Sequence, residues 1–348
     1  MQPWSGDGEA APASKDQLAA LCDDFPQFWI WREDVRGQVR YVARRRDQRQ
    51  HPHTVVTADP GELRAALSDS PVQPKRSQPA SPGTARFTPE IPHPARIYNI
   101  WLGGKDGYAA DRQAAAEVAA CRPQVVAGAR ANRAFLARAV RYLAGPCGIR
   151  QFIDVGPGLP APDSTHQVAQ AIAPQARVVY VDNDPLVLAH ARALLTSGRE
   201  GCCEYVDADL RDPETILKEA ARTLDFTQPA ALLLVAVLHF LTDADNPAGI
   251  VAALGAALGP GGSFVAISHL TADFAPEEVA AGVAAYNALV PAGITARTHA
   301  QVTALFGGLP LAPPGVVPVT EWRPDHAAVH GVSADMYAGL ATITGRAQ

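Results

Sequence analysis

Residues 151–185, QFIDVGPGLPAPDSTHQVAQAIAPQARVVYVDNDP, set two short apolar runs on either side of one capped helix. The runs QFIDVG (151–156) and ARVVYVD (176–182) have strand length and β-branched content. Between them Ser164 and Gln167 form a capping box that opens a helix through Ile172. Strand, crossover helix and strand make the unit of a parallel sheet. The pattern continues downstream. Asp184-Pro185 caps a helix ending near Gly198, and CEYVDADL (203–210) is a third strand. Asp212-Pro213 starts the next helix, and ALLLVAVLHFL (231–241) reads as a fourth strand buried on both faces. Asn246-Pro247 opens its helix, and a GPGG turn (259–262) leads to a fifth strand, SFVAISHL (263–270). These elements predict an α/β fold without internal repeat.

Upstream, PVQPKRSQPASPGTARFTPEIPHP (71–94) carries seven prolines in 24 positions and reads as a linker. Before it, WIWREDVRGQVRYVARR reads as two strands around Gly37, and TVVTADPGELRAAL as a strand and a helix capped by Asp59. The expected organisation is a disordered tail (1–15), a small α+β module (16–70) preceded by a short helix, the linker (71–94) and a large domain (95–348).

Composition excludes other classes. Of 348 residues, 47% are hydrophobic and 19% charged, enough apolar content for a sizeable core. A net charge of −5 argues against wholesale coating of nucleic acid. Five cysteines without a C-x-x-C pair predict no structural zinc, no metal site and a reduced cytoplasmic compartment. The longest apolar run, Ala230 to Leu238, is too short to cross a bilayer, and the N-terminus shows no signal pattern. Few of the 30 basic residues are Lys, which with abundant Ala points to a GC-rich bacterial source.

In an open α/β sheet the chemistry gathers beyond the carboxyl ends of the strands. After the first strand come Asp154, Gly156 and Gly158, whose glycines allow close approach of a ligand. The second strand ends at Asp182, placed to accept from both hydroxyls of an adenosine ribose, with Asn183 beside it. The third leads to Asp209, which can accept from an adenine amino group while Leu210 packs on the ring. Gly156-x-Gly158-x-x-Ala161 formally satisfies a dinucleotide fingerprint. Pro160 and Pro162, however, delay the helix to about Ser164, and that longer loop suits a ligand without a diphosphate.

The segment FIDVGPGLPAPDSTHQVAQAIAPQARVVYVDNDPLVLAHARALL, with upstream PARIYNIWLGGKDGYAADR and downstream ADLRDPETIL, LLLVAVLHFLTDADNPAGIVAAL and GVVPVTEWRP, resembles the actinobacterial S-adenosyl methyltransferase family once catalogued as a domain of unknown function. The resemblance spans about residues 94–325. It implies a Rossmann-like class I methyltransferase sheet with flanking helices and S-adenosylmethionine as cofactor. It also implies that Asp154, Gly156, Gly158 and Asp182 hold that cofactor. Pro157 departs from the small or polar residue often found there. The resemblance supplies no substrate.

Gly103-Gly104-Lys105 lacks the rest of a phosphate loop. In enzymes of this type an N-terminal segment commonly folds over the cofactor, so Tyr98, Asn99, Lys105 and Asp106 are expected in a lid. Methyl transfer is an in-line displacement governed by alignment. His239 and His269, at the ends of strands four and five, are the expected bases for an acceptor that must lose a proton. Cys202 and Cys203 are expected in the core, and His51 and His53 on the surface. Seven Arg between residues 32 and 49, interleaved with aromatics, suit contact with nucleic acid or an acidic protein, or a plain solvated face. The favoured function is methylation of a small-molecule acceptor. The alternatives are a nicotinamide-dependent oxidoreductase and a non-catalytic S-adenosylmethionine-binding regulator.

Overall fold

The computed structural model describes residues 15–25, 28–35, 38–45, 54–57, 59–68, 89–194, 197–258, 261–325 and 334–343. The chain forms two compact units, Met1–Thr84 and Ala85–Gln348.

The first unit contains α1 (Lys15–Asp24), β1 (Phe28–Val35), β2 (Gln38–Arg45), β3 (Thr54–Thr57) and α2 (Pro60–Ser68). The strands form an antiparallel sheet in the order β1-β2-β3. Leu21, Phe28, Tyr41, Ala43, Leu63 and Leu67 make its core. Asp59 Oδ1 accepts from the amides of Gly61 (2.7 Å) and Glu62 (3.1 Å), the capping role expected of it. Arg32 and Arg40 are exposed. Gly37, His51, His53 and most of the proline-rich segment lie outside the described residues.

The second unit begins earlier than its sequence suggested. Pro94, assigned above to the linker, is the first residue of α3 (Pro94–Trp101), whose N-cap is His93. α4 (Ala109–Cys121) and α5 (Val125–Ala144) follow. Then come β4 (Gln151–Val155), α6 (Thr165–Ile172), β5 (Arg177–Asp182), α7 (Pro185–Leu194), β6 (Cys202–Asp207), α8 (Pro213–Ala220) and β7 (Ala231–Val235). The chain closes with α9 (Pro247–Ala256), β8 (Ser263–Leu270), α10 (Pro276–Leu289), α11 (His299–Ala304), β9 (Val317–Pro318) and β10 (Met336–Ile343).

The seven-stranded sheet has the order β6-β5-β4-β7-β8-β10-β9, parallel from β6 to β8 and antiparallel at β10 and β9. Strand order runs outward in both directions from β4, so the crevice at the carboxyl ends of β4 and β7 is the switch point. Both faces of the sheet are covered. Ile153, Val179, Leu232 and Val265 pack into one core, and Phe152, Val178, Leu233 and Ala266 into the other. That two-sided burial explains the continuous apolar runs.

The fourth strand is much shorter than its apolar run. It stops at Val235, and Ala236 adopts φ +54°. The Ala236 amide there donates to the Ser268 carbonyl (3.2 Å) and hydroxyl (3.0 Å). Leu238–Phe240 continue as a 3-10 turn, with Leu238 and Leu241 buried beneath it. Burial of a turn and of a strand both demand apolar residues, so the run alone could not mark the boundary. The third strand likewise ends at Asp207, and α7 ends at Leu194. β10, MYAGLATI, carries no strand signal in the sequence, because Gly339 and its alanines look unlike a central strand. A Cβ at Gly339 would lie 3.0 Å from both Phe306 and Val316. Cys202 and Cys203 are half-buried, and Cys203 packs against the core that holds Phe152 and Val178.

Candidate functional site

The loop after β4 turns through Gly156 and Gly158, both at φ +68°, a conformation that side chains disfavour. A Cβ at Gly156 would sit 2.5 Å from Val237 Cγ2. Asp154, buried at the end of β4, accepts from Thr165 Oγ1 at 2.6 Å, and burial pushes its carboxyl up to about 6. The helix that follows this loop starts only at Thr165, so the glycines do not lead directly into its N-terminus. A bound pyrophosphate would need one there.

Asp182 closes β5. Its carboxylate accepts from the amides of Asp184 (2.9 Å) and Gly158 (3.4 Å), and burial pushes it up to about 6. These bonds leave acceptor positions on both oxygens for hydroxyl donors. Past β6, Asp209 Oδ2 accepts from Asn183 Nδ2 (3.0 Å) and Oδ1 from the Arg211 amide (2.8 Å), while Leu210 is buried beside it.

These groups line one cavity of about 350 Å³. Of the residues singled out in the sequence, it gathers Tyr98, Asp154, Gly156, Gly158, Asp182, Asn183, Asp209, Leu210 and His239. The Tyr98 hydroxyl donates to the Ala129 carbonyl and accepts from Asn132 Nδ2, both at 2.9 Å. Asn132 Oδ1 in turn accepts from Ser268 Oγ at 2.5 Å. This chain of bonds joins α3 and α5 to the end of β8.

Four expected site residues stand elsewhere. Asn99 is buried against Gly104, away from the cavity wall. Lys105 and Asp106 are exposed and outside the wall, because the amides of Gly103 and Gly104 bond back to Ile100 and Asn99 and turn the chain outward. His269 is fully buried behind the wall. Its Nε2 lies 2.9 Å from Arg297 Nη1, and a guanidinium can only donate, so Nε2 accepts. Nδ1 then carries the proton toward the Leu270 carbonyl at 2.7 Å. With both nitrogens committed, His269 cannot serve as the base expected of it.

His239 sits not at a strand end but in the 3-10 turn after β7, where its ring lines the cavity. Burial, then the neighbouring His269 and Arg297, push it down to about 3, so the imidazole is neutral at ordinary pH. The far wall, which sequence reasoning missed, is built by α3, α4 and α10 with Trp101, Val118, Val279 and Tyr286, and by Phe240 and Ile294. Arg133, on α5, also reaches the cavity and donates to the Ala161 and Pro162 carbonyls at 3.2–3.4 Å. No local motif marks these residues, since they come together only when the helices pack across the strand ends.

Residues 82–344 match a family model described as S-adenosyl methyltransferase. The chain is 44% identical to a DUF574 family protein from Streptomyces avermitilis, over 72% of this chain and 97% of that one, with a TM-score of 0.70. It is 38% identical to a candidate methyltransferase from Thermobifida fusca, over 74% of this chain and 96% of that one, with a TM-score of 0.68. No curated protein matches. The class I fold, the glycine loop and these likenesses agree, and the chain belongs to the S-adenosyl methyltransferase family as an S-adenosylmethionine-dependent enzyme.

Proposed function

We propose that this enzyme methylates a small-molecule acceptor inside the cavity described above, with the cofactor at the β4-β5-β6 end and the acceptor beneath α3, α4 and α10. The observation that carries this reading is the lining of one cavity, which combines the strand-end acids Asp154, Asp182 and Asp209 with the rings of Trp101, Phe240 and Tyr286. When bound, S-adenosylmethionine supplies an electrophilic methyl group on a sulfonium centre. The residues fit that group. Asp182 offers a buried carboxylate to ribose hydroxyls, and Leu210 offers an apolar surface to the adenine, with Asp209 and Asn183 at its edge. Gly156 and Gly158 offer bare backbone on either side of Pro157, and Asp154 braces the loop through Thr165. Arg133, which reaches the cavity where Lys105 does not, offers a cation to the cofactor carboxylate. Tyr98 presents an aromatic face toward the reacting centre while its hydroxyl stays tied to α5.

For the acceptor, these residues align and exclude water, which is where most of the barrier to a displacement is removed. Among the described residues, no helix is long and apolar enough to cross a membrane. A cytoplasmic setting and an acidic partner for the arginine-bearing first unit are further parts of this reading. Calorimetric titration of the full chain tests it. S-adenosylmethionine and S-adenosylhomocysteine should bind and NAD should not. Binding of NAD in preference to both would overturn the reading in favour of an oxidoreductase.

A further inference from the structure

We infer that the acceptor is an uncharged molecule with a flat, apolar body and a single hydrogen-bonding group that meets His239. This rests on the methyltransferase reading above and deepens it by naming the acceptor class.

The first support is the wall. Trp101, Phe240 and Tyr286 bring three rings to the far end of the cavity, with Val118, Val283 and Ile294 between them. Trp101 donates its indole N–H to the Ala115 carbonyl at 3.2 Å, so only its apolar surface remains to offer. Burial drives the Tyr286 hydroxyl well above its ordinary range and keeps it neutral. Aromatic rings prefer partners that stack offset or edge-on, which a flat body can satisfy from several sides.

The second support is charge. Arg122 and Asp335 also reach this part of the wall, but they pair with each other at 2.8 and 3.0 Å, and Glu278 adds a further bond to Arg122. Arg297 lies behind the wall and is spent on the Leu238 and Leu241 carbonyls, Asp243 and His269. The two charged side chains on this part of the wall, Arg122 and Asp335, thus neutralise each other, and Glu278 stands outside the wall with its side chain largely in solvent. A charged acceptor would surrender its hydration here without compensation.

The third support is His239. Its Nδ1 is sealed from solvent and has no hydrogen-bond partner among the described residues, yet the residue as a whole is only half-buried and lines the cavity. The opposite edge of the ring, carrying Nε2, therefore faces the space where the acceptor lies. The neutral ring donates from Nε2 in one tautomer and accepts there in the other. Either suits a hydroxyl or an amine, and neither provides a charge.

Coumarin, umbelliferone (coumarin with one phenolic hydroxyl) and coumarin carboxylate test the proposal, by titration into the full-length protein loaded with S-adenosylhomocysteine at slightly acid pH. Umbelliferone should bind about threefold to tenfold more tightly than coumarin, the worth of one neutral hydrogen bond. Coumarin carboxylate should bind at least tenfold more weakly than either. His239→Phe should abolish the advantage of umbelliferone and leave coumarin within twofold, and His239→Asn should restore part of it. Trp101→Ala should weaken both neutral probes. Equal or tighter binding of the carboxylate would overturn the proposal. So would an umbelliferone advantage that survives His239→Phe, or no binding of either neutral probe at millimolar concentration. The loading step separates the two readings. Failure of S-adenosylhomocysteine itself to bind removes the cofactor assignment, whereas normal loading followed by the wrong probe order removes only the acceptor class.

Discussion

Arg122 and Asp335, 213 positions apart in the chain, form a two-point ion pair, with Nε 2.8 Å from Oδ2 and Nη2 3.0 Å from Oδ1. Both side chains are 7% exposed. The pair ties the end of α4 to the start of β10, where the Asp335 carbonyl also accepts from the Thr271 amide at 2.8 Å. Removing one member leaves a buried charge behind. Arg122→Ala should therefore cost about 3 to 5 kcal/mol of stability, whereas Arg122→Met combined with Asp335→Asn should cost clearly less. Asn suits position 335, which holds φ +47°. Thermal or urea unfolding measures both, and additive losses in the double variant would show that the pair does not act as a unit.

Asp182→Ala should weaken S-adenosylhomocysteine binding by about 1 to 3 kcal/mol, because ribose hydroxyls lose a buried charged acceptor. The variant must retain a cooperative melt. Unchanged affinity in the folded variant would remove Asp182 from the cofactor site.

The same carboxylate predicts a pH dependence. Burial raises it from 3.8 to about 6, so the free enzyme carries a proton there across a window in which an unfolded chain has already released it. Its contribution to stability therefore falls as pH rises through that window. Cofactor hydroxyls need the ionised form, so S-adenosylhomocysteine affinity should fall below about pH 6, by up to roughly tenfold per unit. Calorimetry between pH 8 and pH 5 gives the slope. In Asp182→Asn the slope should diminish, with any remainder assigned to Asp154, which is raised to about 6 by burial as well.

Gly156→Ala combines a strained φ with a Cβ 2.5 Å from Val237 Cγ2. A side chain at this φ costs about 1 to 2 kcal/mol before any contact is counted. A lower melting temperature together with weaker cofactor binding is expected. Stability and binding equal to those of the parent would show that the loop relaxes freely.

Residues Ala85–Gln348 form their own compact unit and contain every residue placed at the cavity. Expressed alone, this fragment should melt cooperatively and bind S-adenosylhomocysteine within about twofold of the full chain. Aggregation or lost binding would show that the first unit supports the second.

Much of the parallel sheet could be read from the amino-acid sequence because its signals are local. Ser164 with Gln167, Asp184-Pro185, Asp212-Pro213 and Asn246-Pro247 each mark a helix start within a few residues, and each start was found. The glycines of the loop after β4 and the acid at the end of β5 are equally local. Their positions follow from where strands stop, so Asp154, Gly156, Gly158 and Asp182 were legible as a group.

The other half of the cavity was decided by packing. Trp101, Val118, Tyr286 and Ile294 come from separate segments, and only the docking of α3, α4 and α10 brings them to one wall. The two histidines show why position along a strand was not enough. His269 does end β8, but Arg297 reaches it from 28 residues away and occupies the nitrogen a base would need. His239 follows a strand that ends early, because the Ala236 amide turns toward Ser268, and that turn is what carries its ring into the cavity. Capping and periodicity act between neighbours in sequence and survive in a one-dimensional reading. Burial, counter-charge and hydrogen-bond commitment depend on partners far away in the chain, and only the folded structure supplies them.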